Sequence, residues 1–140
     1  MNGPELNQQL GYIIASVNRR LEDELAERLR PGGVPIEQFR VLEALAQRGE
    51  CAMGELAQII LVEPATLTKI VDRMVSEQLV FRSPDPADRR RVKILTTPEG
   101  KALWKRLSGV SKAQEARIAA LLDAPRAEEL RSLLRELLDR

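Results

Sequence analysis

Histidine is absent from the 140-residue chain, and its absence excludes several kinds of active site. Histidine is the commonest general base and zinc ligand, and it activates serine and cysteine nucleophiles. No glycine-rich phosphate loop follows a predicted strand, and the nearest pair of carboxylates, Asp85 and Asp88, lies in a proline-rich turn. We therefore expect a protein that is not an enzyme and that binds no metal and no cofactor.

Cysteine and long apolar runs are also scarce. Cys51 is the single cysteine, so no intramolecular disulfide can form, which fits a reducing cytoplasm. No stretch approaches the roughly 18 consecutive apolar residues of a membrane span, and the first residues do not resemble an export leader. With 44% hydrophobic and 31% charged residues, the composition predicts a globular, cytoplasmic protein without a membrane partner.

The most informative stretch begins at Pro64 and reads PATLTKIVDRMVSEQ. Its apolar residues recur at the i, i+3, i+4, i+7, i+8 spacing of one buried helix face, and proline suits the first helical position. The opposite face carries Thr66, Thr68, Lys69 and Arg73. Lys69 and Arg73 are like charges four residues apart, which costs an isolated helix about 0.2–0.5 kcal/mol. A polyanion along this face would replace that repulsion with attraction.

Two short runs rich in branched and aromatic residues, 79–82 and 92–96, follow this helix and predict a strand pair. Their long connection holds the run Arg89, Arg90 and Arg91. Residues 82–93 contain five basic and two acidic side chains, in a chain whose net charge is only +1. The positive charge is therefore concentrated beside the helix, as expected of a surface that binds nucleic acid.

The rest of the chain predicts helices at residues 5–29, from Pro35 to Gly49 (with Phe39, Leu42, Leu45 and Ala46 inward), 53–60, about 98–122 and after Pro125. Thr97 is the predicted cap of the helix at 98–122, and Pro98 occupies its first position. The helices at 53–60 and 64–78 are joined by three residues, which is typical of a helix-turn-helix. We predict a mainly α fold with a small β-hairpin wing: an N-terminal dimerisation helix (1–34), a winged helix-turn-helix lobe (35–97) and C-terminal dimerisation helices (98–140). The leucine-rich stripes of the terminal helices predict pairing with a second copy.

Three segments, MGELA, PATLTKIVDRM and DPADRRRVKILTTPEGKAL, resemble the MarR (multiple antibiotic resistance regulator) family of bacterial winged-helix transcription factors. The resemblance covers nearly the whole chain. It implies a homodimer bound to a pseudo-palindromic operator in double-stranded DNA, more often as a repressor. It also implies release of the DNA when a small aromatic or phenolic effector binds between the dimerisation helices and the winged lobe.

The same resemblance implies roles for individual residues. Ala65, Thr66, Thr68, Lys69 and Arg73 would lie near bases and phosphates in the major groove, and one or more of Arg89, Arg90 and Arg91 would reach the minor groove. Asp88 would hold a neighbouring arginine in place. The candidate ligand residues are Tyr12, Phe39 and Trp104, although core packing alone also explains these aromatics. Two positions depart from the family: Gln78 replaces a usual glycine, and Ala52 replaces a hydroxyl-bearing helix cap.

Three alternatives remain open from the sequence. The arginine run alone is compatible with a solvated turn in which arginines pair with Asp85 and Asp88. The winged unit is also compatible with a protein-interaction module, whose binding would respond little to salt. Cys51 is compatible with a redox-sensing regulator or with a small buried hydrophobic residue.

Overall fold

The computed structural model describes residues 3–140 and divides the chain into two compact units. One unit comprises residues 26–108, and the other combines the residues up to 25 with residues 109–140. A short 3₁₀ turn, Leu6–Gln8, precedes the first α-helix. The helices are α1 (Leu10–Leu29), α2 (Ile36–Arg48), α3 (Met53–Ile59), α4 (Pro64–Ser76), α5 (Pro98–Leu107), α6 (Gly109–Leu122) and α7 (Ala124–Leu138).

The unit of residues 26–108 contains a three-stranded antiparallel sheet. Its strands are β1 (Glu50–Ala52), β2 (Val80–Pro84) and β3 (Val92–Thr96), in the order β1-β3-β2. The predicted hairpin is thus present, but β2 begins at Val80 and not at Leu79, because the Leu79 amide is bonded to the Met74 carbonyl (2.9 Å) in the turn that ends α4. Strand β1 is only three residues long, too short to show an alternating pattern in the sequence.

The core of this unit lies between α2, α3, α4 and the sheet. Leu56, Leu67, Val71 and Ile94 are fully buried there. Leu67 and Val71 belong to the predicted apolar face of α4, which is confirmed. One prediction for α2 is wrong: Ala46 is exposed, and Ala44 and Val41 are buried beside Phe39, Leu42 and Leu45. Position 46 lies about 100° round the helix from position 45, beyond the edge of the buried face.

Helices α3 and α4 both end in the same hydrogen-bonded turn. The Val62 amide bonds to the Ala57 carbonyl (3.1 Å), and the Leu79 amide bonds to the Met74 carbonyl (2.9 Å). Each turn places a non-glycine residue in the left-handed region, Leu61 at φ 62° and Gln78 at φ 64°. These are Schellman turns, in which glycine is the usual residue. Gln78 therefore adopts the strained left-handed conformation that glycine would adopt without cost.

Among the described residues of the second unit, Leu25 is the one hydrophobic side chain that is buried. Its helices are tied together by polar contacts: the Gln114 side chain donates to the Leu21 carbonyl (2.8 Å), and Arg131 pairs with Glu115 (2.9 Å). Helix α7 begins where its Asp123 cap accepts a hydrogen bond from the Arg126 amide (3.0 Å). All five leucines of α7 are exposed.

Candidate nucleic-acid interface

Helix α4 presents a polar face opposite the core. Leu67, Val71 and Met74 are fully buried, so the helix cannot rotate without exposing them. The outward face carries exposed Ala65, Thr66, Thr68, Lys69 and Arg73. The Thr68 hydroxyl donates to the Pro64 carbonyl (3.1 Å), which leaves its oxygen able to accept. Packing of the buried face therefore fixes the direction in which these side chains project.

The cations on and beside α4 differ in their partners. Lys69 has no ion-pair partner within the described part of the chain. Arg73 pairs through Nε with Glu77 Oε1 at 2.9 Å, and Arg82 of β2 pairs with Asp72. All four paired side chains are at least 37% exposed. Exposed ion pairs of this kind are weak and exchangeable, so Arg73 and Arg82 remain available to a stronger anion.

The loop between β2 and β3, residues 85–91, is held by its own backbone. The Asp85 amide donates to the Arg91 carbonyl (2.9 Å), and the Arg91 amide donates to the Asp88 carbonyl (2.9 Å). The Asp85 side chain, only 9% exposed, accepts from the Ala87 amide at 2.9 Å. Because a short aspartate can cap its own turn in this way, the loop, hereafter the wing tip, presents its arginines from an ordered base.

The three arginines of the wing tip have different surroundings. Asp88 Oδ1 accepts from the Arg90 amide (3.0 Å) and lies 3.7 Å from Arg90 Nε, so Asp88 does contact a neighbouring arginine. The Arg90 side chain is nevertheless 95% exposed. Arg89 has no ion-pair partner among the described residues. Arg91 instead turns back to α3, where its Nη2 lies 2.5 Å from Glu55 Oε1.

The end of α4 is fastened to the start of α5 by the Thr-Pro-x-Gly segment. The Thr97 hydroxyl donates to the Gln78 carbonyl (2.6 Å) and accepts from the Gly100 amide (3.0 Å), which confirms Thr97 as the predicted cap. A Cβ atom on Gly100 would lie 2.1 Å from the Leu79 carbonyl oxygen. Only glycine permits this approach, and the approach holds α4 at a fixed distance from α5.

Two of the three candidate ligand residues, Phe39 and Trp104, belong to the unit of residues 26–108. Phe39 and Trp104 pack with ring centroids 5.6 Å apart, and Phe39 is 1% exposed. Trp104 also lines a groove of about 780 Å³ between α2 and α5, whose rim includes Lys101 and Lys105. Tyr12 belongs to the other unit, where it is 45% exposed.

Cys51 is 2% exposed on β1. Burial raises the pKa of its thiol, although the positive charge of Arg48 acts in the opposite direction. A buried, protonated thiol reacts slowly with oxidants, so the environment of Cys51 favours a structural role. Within residues 3–140 no group of three or more acidic or cysteine side chains could hold a metal ion, and no helix is long and apolar enough to cross a membrane.

Sequence reasoning missed three carboxylates that organise this surface. Asp85 caps the wing tip, Glu55 holds Arg91, and Glu77 pairs with Arg73. The i, i+4 spacing of Arg73 and Glu77 was a signal for that pair. Nothing local connects Glu55 to Arg91, because 36 residues separate them.

Known proteins resemble this chain in sequence and in structure. The MarR family model matches residues 34–92. The HTH-type transcriptional repressor Rv2887 of Mycobacterium tuberculosis is 30% identical over 128 residues, which are 91% of this chain and 92% of that protein. The multiple antibiotic resistance protein MarR of Salmonella typhimurium is 32% identical over 94 residues, 67% of this chain and 65% of that protein.

A crystal structure of a mutant MarR from E. coli in complex with operator DNA has a TM-score of 0.87 to this chain, at 29% identity, and the match covers 97% of this chain and 99% of that one. The predicted winged-helix fold is thereby confirmed. The family and these relatives are transcriptional regulators and not enzymes. The chain belongs to the MarR family of winged-helix transcriptional regulators.

Proposed function

We propose that this regulator binds a pseudo-palindromic double-stranded operator as a homodimer and represses transcription. The observation that carries the proposal is the fixed outward face of α4, with Lys69 and Arg73 exposed opposite a fully buried apolar face. The relatives named as repressors, and the E. coli MarR structure with operator DNA, support the same role. Such a protein acts where the chromosome is, which in bacteria is the cytoplasm.

In this proposal α4 enters the major groove. Ala65 and Thr66 lie in its first turn, where free backbone amides and the positive end of the helix dipole favour phosphate. Thr68, Lys69 and Arg73 follow along the exposed face and meet bases or phosphates. The exposed Arg89 and Arg90 reach the adjacent minor groove, where the negative potential attracts arginine.

A second copy of the chain is proposed as the partner of the leucine-rich surface. In the unit of residues 3–25 and 109–140, an apolar groove of about 640 Å³ runs between the first half of α1 and α7. Leu10 is 74% exposed and Leu138 is 82% exposed on the same unit. Contiguous apolar surface of this kind is rare on monomers. In a dimer, two copies of α4 would lie about 34 Å apart, one turn of DNA.

Release by a small aromatic or phenolic effector is the last part of the proposal. Trp104 offers an aromatic wall to the groove between α2 and α5, and Lys101 and Lys105 offer positive charge to a carboxylate or phenolate. Trp104 is the single tryptophan of the chain. Intrinsic fluorescence therefore reports on this groove without labelling, and titration with 2-hydroxybenzoate should quench it and weaken DNA binding.

The DNA part is tested by a mobility shift on the upstream intergenic DNA of its own gene, with scrambled competitor, at two salt concentrations. A specific complex that weakens steeply with salt is expected, because counterion release gives a slope of about −0.9 per phosphate contacted. Arg73→Ala and Arg90→Ala should weaken the complex while light scattering still shows a dimer. Absence of any complex at low salt would instead favour the protein-interaction module.

The dimer is tested separately with Leu134→Glu, which places a charge in the apolar groove. The variant should be monomeric by light scattering and should lose operator binding. A matched control, Leu121→Glu, changes a leucine that is 68% exposed and lies outside that groove. Retention of the dimer in Leu134→Glu would remove this surface from the proposal.

A further inference from the structure

We infer that the three arginines of the wing tip have different roles. Arg91, held by Glu55, positions the wing, whereas Arg89 and Arg90 contact DNA. The inference rests on the proposed DNA-binding function and assigns Glu55, a residue of α3, as a positioning residue for the wing.

Arg91 is held at its amide, at its carbonyl and at one guanidinium nitrogen. Its amide donates to the Asp88 carbonyl (2.9 Å), and its carbonyl accepts from the Asp85 amide (2.9 Å). Its guanidinium reaches Glu55 Oε1 at 2.5 Å. The residue therefore lies at the base of the wing tip, where β3 begins, and its side chain joins that base to α3.

Glu55 is suited to fix this base because α3 is itself firmly placed. Helix α3 follows β1 directly, and Ala52 of β1 pairs with Lys93 of β3. Leu56, the next residue, is fully buried in the core. The other carboxylate oxygen of Glu55 lies 3.9 Å from Arg48, at the end of α2. Glu55 thus connects the wing to two helices of the lobe.

The neighbours of Arg91 remain available. Arg90 is 95% exposed, and Arg89 has no ion-pair partner among the described residues. To bind phosphate, Arg91 must break a hydrogen bond of 2.5 Å to Glu55, whereas Arg90 gives up only a longer contact of 3.7 Å with Asp88. Arg89 and Arg90 are therefore the arginines that contact DNA, and Arg91 fixes the position of the loop that carries them.

The direction in which one substitution changes DNA affinity distinguishes a positioning role for Glu55 from a purely electrostatic effect of its charge. Glu55→Gln removes a negative charge near the proposed DNA surface, so it should tighten DNA binding if Glu55 acts only through its charge. If Glu55 positions the wing, the same change frees Arg91 and weakens binding. Because exposed ion pairs contribute little each and a dimer contains two, we expect a rise in Kd of roughly two- to thirtyfold.

Operator affinity is to be measured by fluorescence anisotropy over a range of salt for the wild type, Glu55→Gln, Arg91→Gln and the double variant. The control Glu50→Gln makes the same charge change on β1, the strand that precedes α3, but releases Lys93, its partner at 2.8 Å. We expect Glu55→Gln to weaken operator binding and to reduce the dependence of its affinity on salt concentration. Glu50→Gln should bind the operator at least as tightly as the wild type. In the Arg91→Gln background the Glu55 change should cause no further loss.

Two further readouts separate positioning from general destabilisation. The melting temperature of Glu55→Gln should stay within about 2 °C of wild type, since surface changes are usually nearly neutral, while the amides of Ala87 and Arg91 should exchange hydrogen faster. Equal or tighter binding by Glu55→Gln, or an equal loss in the Arg91→Gln background, would overturn the inference. Failure of the wild type itself to bind DNA in a salt-sensitive way would overturn the proposed function instead.

Discussion

Glu77→Gln should tighten operator binding. Glu77 is the cap residue of α4 and pairs with Arg73 through a 2.9 Å contact on the face that we propose meets DNA. For Arg73 to bind a phosphate, this pair must break, and the free carboxylate then remains close to the phosphates. Replacing the carboxylate with an amide of the same size removes both costs and leaves the helix otherwise unchanged.

The magnitude follows from the exposure of the pair. The Arg73 side chain is 70% exposed and that of Glu77 is 41% exposed, so breaking the pair costs about 0.3–0.5 kcal/mol, the usual value for an i, i+4 pair. Repulsion between a carboxylate and a phosphate adds a few tenths of a kcal/mol, since it is about 1 kcal/mol at 4 Å in water and falls with distance and salt. The sum is about 0.5–1 kcal/mol per protomer, or roughly five- to thirtyfold in Kd for a dimer.

The assay is fluorescence anisotropy on a labelled operator at low and at physiological salt, together with thermal unfolding of the free protein. The variant should bind more tightly and be slightly less stable, because the helix loses its ion pair while the DNA surface gains net positive charge. A folding defect would lower both the stability of the protein and its affinity for DNA. Lower stability together with higher affinity would therefore not result from such a defect. Weaker binding by Glu77→Gln would refute the reasoning, because it would mean that Glu77 orients Arg73 for DNA rather than competing for it.

Three further predictions concern the scaffold. Gly100→Ala should lower the free energy of unfolding in urea by about 1–3 kcal/mol, since the new methyl would lie 2.1 Å from the Leu79 oxygen and backbone must move; wild-type stability would contradict this. Gln78→Gly should raise stability by about 0.5–1 kcal/mol by relieving the left-handed conformation, and a lower melting temperature would count against it. Cys51, whose pKa is raised by burial, should resist iodoacetamide at pH 8 until urea is added, and rapid alkylation of folded protein would reopen the redox alternative.

Much of the winged lobe was predictable because its signals are local. The Thr97-Pro98 start signal lies within one helical turn, and the apolar spacing in residues 64–78 extends over about four turns. They predict α4 and the start of α5, and both predictions are confirmed. The left-handed turn at Gln78 was harder to predict, because glutamine opposes it and the hydrogen bonds of the Schellman turn override that preference.

The ion pairs between residues far apart in the chain could not be predicted from the sequence. Glu55 and Arg91 are 36 residues apart, and Lys93 and Glu50 are 43 residues apart. Each pair depends on how β1 and β3 align, which a three-residue strand does not reveal in sequence. The arginine run was therefore recognisable as a charged site, while the separate surroundings of its three members required the structure.

The close contact between Leu79 and Gly100 also limits where residues can be inserted into or deleted from the winged lobe. Adding one residue to α4 would turn its outward face by about 100° relative to everything downstream. This contact cannot absorb that rotation, because the Leu79 carbonyl is bonded to the Thr97 amide at 3.0 Å and Gly100 lies against it. Insertions and deletions in this region should therefore be tolerated at the exposed tip between Pro86 and Arg90, where a longer loop changes reach without turning the helix.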